Sequence, residues 1–112
     1  MKINNIDHVK KDIVTDDGVK NVERQIPIGV KEGSTRIIMR LFTVKPGGHS
    51  PLHKHDFEHL VKVESGKGIV VYSEGEREIC VGDFVYVEPN EIHQFKNPFE
   101  EDFKFICVIP NK

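Results

Sequence analysis

Four of the six histidines, His49, His53, His55 and His59, fall within eleven consecutive residues. Within that cluster His53-Lys54-His55 has the spacing that puts two side chains on one face of an extended chain. Their backbones are then about 6–7 Å apart, close enough for both imidazoles to lean toward one point. His59 cannot reach that point along the same straight strand, because four more residues would carry it about 13 Å onward. A turn is therefore required between His55 and His59, and the polar stretch around Asp56 permits one. His59 then opens a returning strand and shares its face with Val61 and Val63. A further histidine, His93, follows the turn signal Pro89-Asn90-Glu91. Neutral imidazole is the most frequent side-chain metal ligand, and three or four convergent rings make a site for a first-row divalent ion. His53, His55, His59 and His93 are the candidate ligands. His8, in a polar terminus, and His49, followed by Ser50-Pro51 and lacking a partner at strand spacing, are read as ordinary surface residues.

The elements that must hold these residues are strands. From Val22 an alternation runs through Arg24, Ile26, Ile28 and Val30, with Pro27 restricting it to an edge or terminal strand. Arg36 to Val44 is a longer β-type run, expected to close at Pro46-Gly47-Gly48. Short apolar runs then alternate with Gly, Pro or Asn punctuation: Leu60–Val63, Ile69–Tyr72, Glu78–Val81, Phe84–Val87, Ile92–Phe95 and Phe103–Ile109. Strands of this length and spacing predict an all-β sandwich or barrel. No helical segments long enough for a βαβ chain lie between them.

With 112 residues and no linker or internal repeat, the chain is expected to form a single domain over residues 1–112. Sixteen basic residues stand against eighteen acidic ones with no Lys/Arg block, so nucleic acid is not an expected partner. No apolar run approaches the length of about 20 residues that crosses a bilayer. The N-terminus lacks the apolar stretch of a signal peptide, and the two cysteines, Cys80 and Cys107, lie in apolar segments as buried free thiols do. A reducing cytoplasm is the expected compartment.

The spacings resemble the two motifs of the cupin family. In the first, Gly47 precedes His53-Lys54-His55 by the required five residues, His59 stands where the family has a glutamate, and Gly66 follows six residues later. In the second, Gly82 is followed at the required distance by His93 and closed by Asn97. Glu88 replaces the motif's proline and Asn90 its second glycine, and asparagine is the next-best residue for a left-handed backbone. The motifs span 47–66 and 82–97. They resemble those of small single-domain bacterial cupins with an all-histidine metal site. The resemblance implies a double-stranded antiparallel β-barrel of jelly-roll type. It implies one divalent transition metal per chain, manganese or iron favoured, with zinc, nickel and copper also compatible with imidazole. It implies a homodimer in which the N-terminal segment, residues 1–34, meets the neighbour.

Four neutral imidazoles would leave a divalent ion its full +2 charge, which favours a small anionic ligand. Arg40, charged within an apolar run, is read first as outward-facing; turned inward, it would hold such an anion. Phe95, Phe105 and Cys107 are further pocket candidates by alternation. Two function classes follow. One is a metalloenzyme acting on a small carbonyl or carboxylate compound, with O₂-dependent oxidation ahead of isomerisation. The other is a non-enzymatic ligand-binding or sensing module with a structural metal.

Overall fold

The computed structural model describes residues 1–112. Its strands are β1 (Asp12–Ile13), β2 (Lys20–Ile28), β3 (Ile37–His49), β4 (His59–Ser65), β5 (Lys67–Tyr72), β6 (Gly75–Cys80), β7 (Phe84–Val87), β8 (Gln94–Lys96) and β9 (Phe103–Pro110). The helical content is two single 3₁₀ turns, Ile6–His8 and Val30–Glu32. No helix is long and apolar enough to cross a membrane. The strands form one antiparallel sheet in the order β6-β5-β8-β3-β9-β4-β7, with β2 on β3 and β1 on β2. The sheet curls on itself as a jelly roll, and the side chains of one pleat face fill the inside.

Register decides what that inside contains. Val44 pairs with Val22 on one side and Phe103 on the other, Phe42 with Arg24 and Phe105, and Arg40 with Cys107. Cys107 in turn pairs with Val61, and Phe105 with Val63. At one end this stack is wholly apolar: Phe103, Val44 and Val63 are fully buried. Burying a side chain the size of phenylalanine stabilises by about 1.5–3 kcal/mol, so this end anchors the barrel. Buried Asn97 seals it. Its amide donates to the carbonyls of Val44 (2.8 Å) and Glu101 (2.7 Å), and its Oδ1 accepts from the Phe99 N–H (3.0 Å). The opposite end of the stack is polar, and the histidines lie there.

Several expectations change. β3 does not stop at Pro46-Gly47-Gly48 but runs on to His49, changing neighbours as it bends. It leaves β9 at Val44 and meets β8 at His49, which pairs with Lys96. Gly48 makes the bend feasible, since a Cβ there would lie 2.7–2.9 Å from the carbonyl oxygens of Lys20, Asn21 and Lys45. The expected strand Ile92–Phe95 is shorter and later, Gln94–Lys96. Cys80 is exposed rather than buried, because Ile79 takes the inward position on β6.

Candidate metal centre

His53 and His93 face each other across an isolated antiparallel bridge. The His53 N–H donates to the His93 carbonyl (3.2 Å), and the His93 N–H donates to that of His53 (2.9 Å). The His55 carbonyl accepts from the Asn90 N–H, which ties the loop after His53 to the turn before His93. Asn90 has φ 67°, the left-handed backbone expected of it. Thus His53 and His55 sit on a bridge and a loop rather than on a regular strand. A short ladder to the second motif, in place of a sheet neighbour, aims both side chains inward. His59 arrives from the other direction as the first residue of β4, buried with Val61 and Val63 as expected.

The ring nitrogens of His53, His55 and His93 converge within 4.8 Å of one another. His59 stands beside this group, its ring centre 5.0 Å from that of His93 and 5.1 Å from that of His55. Second contacts orient two of the rings. His93 Nδ1 lies 2.9 Å from the Glu91 carbonyl oxygen, which can only accept, so that nitrogen carries the proton and Nε2 keeps its lone pair. His59 Nδ1 lies 3.2 Å from Cys107 Sγ, while His59 Nε2 is buried with no hydrogen-bond partner. An orphaned buried imidazole nitrogen beside three convergent ones fits an ion accepting all four lone pairs.

The electrostatics agree. Burial, then the neighbouring histidines His55 and His93, push the pKa of His53 down to about 4, against a small opposing pull from Asp16. His59 is pushed down to about 3 by burial first, then by His93 and Arg40. His55 is lowered too, by burial, His93 and Arg40. All three rings are neutral at pH 7, the protonation state that metal ligation needs.

The cluster opens on a cavity of about 220 Å³ whose lining includes all four histidines. Arg40, Phe95, Phe105 and Cys107 line it as well. Arg40 therefore points inward, which overturns the outward reading. It is on the same pleat face as Phe42 and Val44, and its guanidinium lies over the Phe42 ring (4.9 Å) and donates to Cys107 Sγ (3.1 Å). Phe95 stacks on Phe105 at 4.5 Å. Sequence reasoning passed over Arg24, Phe42, Phe57 and Asp16, which also line the cavity. For Arg24 the signal was present, since it shares an alternating face with Val22. His8 lies in the exposed 3₁₀ turn, and His49 turns its Nδ1 to the Ser50 carbonyl (3.1 Å), so neither joins the cluster.

The chain is 32% identical over 71 residues to the 1-methylthio-D-xylulose 5-phosphate methylsulfurylase of Rhodospirillum rubrum, covering 63% of this chain and 46% of that protein. It is 34% identical over 62 residues to the HTH-type transcriptional activator RhaR of Pectobacterium atrosepticum, covering 55% and 22%. It spans less than half the length of these curated relatives. Among solved structures, the polyketide cyclase RemF of Streptomyces resistomycificus superposes with a TM-score of 0.95 at 27% identity, over all of this chain and 80% of that one. The cupin domain model matches residues 40–109, the segment that carries both histidine groups and most of the barrel, and the chain accordingly belongs to the cupin family.

Proposed function

We propose that the chain is a mononuclear metallo-cupin enzyme acting on a small carbonyl or carboxylate compound, by oxygen-dependent oxidation in preference to isomerisation. The observation that carries this reading is the convergence of His53, His55 and His93 within 4.8 Å in the wall of a partly open cavity, with His59 offering a fourth, unpartnered nitrogen. Manganese or iron is the preferred ion. When bound, such an ion supplies Lewis acidity and redox capacity to an oxygen-bearing substrate. The chain's own residues do the rest. Glu91 and Cys107 orient the rings of His93 and His59. Phe95 and Phe105 exclude water from the inner wall, and Arg40 supplies positive charge facing the substrate's oxygens. The protein would work as a homodimer in the cytoplasm.

The test is elemental analysis of protein purified without added metal, with electron paramagnetic resonance before and after addition of small carboxylates. About one manganese or iron per chain, with a spectrum that responds to carboxylate, is the expected result. His53→Ala, His55→Ala, His59→Ala and His93→Ala should each lose most of that metal, and His49→Ala should keep it. Full retention in all four ligand variants would refute the site.

The likeness to a transcriptional activator favours a second reading, a ligand-binding or sensing module whose metal is structural. In that case the metal signal would ignore added carboxylate, and no substrate would be consumed.

A further inference from the structure

The cavity holds a second cluster, of which the proposed function uses only Arg40. Arg24 and Arg40 both line it. Arg24 pairs across β2 and β3 with Phe42, and Arg40 lies two residues from Phe42 on the same strand. The two arginines are thus diagonal cross-strand neighbours on one pleat face, a separation of about 7–8 Å that long side chains readily span. Neither takes part in any of the chain's six ion pairs, all of which use lysine. The Nε atoms of both are buried without a hydrogen-bond partner. The one acidic residue in the lining, Asp16, forms no ion pair with either. Two guanidinium groups with buried unused donors, and neutral histidines beside them, leave an excess of positive charge in one partly open cavity. Buried donors of this kind ordinarily have partners.

We infer that Arg24 and Arg40 form an anion clamp that holds the carboxylate of a small organic acid, whose apolar body lies against Phe42, Phe95 and Phe105. The acid's other oxygen-bearing end then faces His53, His55 and His93; that orientation rests on the proposed metal site, whereas the clamp itself does not. A guanidinium offers a planar fork of N–H donors matched to a carboxylate, and two forks discriminate against neutral analogues. The cavity, at about 220 Å³, is smaller than the 300–1,000 Å³ typical of pockets for larger ligands. It still suits one ring, since a cavity of about 150 Å³ takes benzene. The aromatic walls favour a carboxylate with an apolar body over a bare inorganic anion.

Benzoate is the probe, with benzamide as its neutral analogue and inorganic phosphate as the competing anion. Binding is read by calorimetry and by shift in Tm, on metal-free and manganese-loaded protein, for the wild type, Arg24→Gln and Arg40→Gln. The expected result is that benzoate binds metal-free wild type, benzamide does not, and phosphate binds more weakly than benzoate. Each variant should weaken benzoate binding by about 10- to 100-fold while keeping its metal stoichiometry. Equal binding of benzamide would overturn the clamp, and that comparison needs no variant to fold. Preference for phosphate would overturn the carboxylate assignment. Wild-type affinity in Arg24→Gln would overturn the two-arginine arrangement. Benzoate binding that requires manganese and ignores both arginines would place the carboxylate on the metal instead. A protein that holds no metal but binds benzoate through both arginines would sink the metallo-cupin reading and leave the clamp standing.

Discussion

At the scale of the residue, the centre is held neutral by burial. Because the pKa of His53 falls to about 4 and that of His59 to about 3, against about 6.5 for the unfolded chain, these rings stay unprotonated where the unfolded chain takes up protons. The unfolded state binds more protons in that window, so the stability of the metal-free protein declines as pH drops from about 6.5 toward 4. A plot of Tm against pH should fall across this range. His59→Leu should flatten the slope relative to wild type, since it removes one titrating group while keeping the volume apolar. Parallel slopes in the two proteins would show that His59 is not linked to folding. Three of the centre's imidazoles, His53, His55 and His59, are close in sequence and advertise themselves. The inward turn of Arg40 could not be read from its neighbours alone, because charge in an apolar strand is more often outward. Which pleat face is the inner one is settled by the pairing of Arg40 with Cys107 on β9, and that pairing is not local.

At the scale of the element, turns determine whether the strands reach the right register. Gly66, between β4 and β5, has φ 71°, and a Cβ there would collide with the Asp102 carbonyl oxygen. Gly66→Ala therefore combines a left-handed strain of about 1–2 kcal/mol with a backbone clash. The expected loss is about 2 kcal/mol or more, near 8 °C in Tm by calorimetry; a change below about 2 °C would contradict this account. Strands β4, β5, β7 and β9 were legible because each is a short apolar run bracketed by turn residues, whereas β6 (Gly75–Cys80) and β8 (Gln94–Lys96) are mostly polar and were read with shifted bounds. β3 was read too short, since glycine and proline signal termination, whereas here they let one strand bend between two neighbours. The terminal pairing of β1, only Asp12–Ile13, carries no periodicity to detect. The bridge between His53 and His93 depends on a contact forty positions away and leaves no local trace.

At the scale of the whole molecule, the outer pleat face carries an apolar row across five strands. Ile28 pairs with Met39, Met39 and Leu60 both pair with Val108, and Leu60 pairs with Tyr86. Leu60 is 52% exposed and Tyr86 57%. Such a contiguous patch suits the homodimer proposed above. Sedimentation should then show a dimer at micromolar concentration, and Leu60→Lys with Tyr86→Lys should shift it to monomer with the metal retained. A monomeric wild type would remove this proposal. The N-terminal segment also holds to its own barrel: the buried Gln25 amide donates to the carbonyls of Ile6 (3.2 Å) and Val9 (2.9 Å). The two sulfur atoms differ in access, Cys80 lying open to solvent while Cys107 sits 2% exposed between Arg40 and His59. An alkylating reagent would therefore meet one thiol at once and the other only when the barrel parts. The lag between the two reactions makes the chain its own clock for that opening, and anything seated in the cavity would slow it.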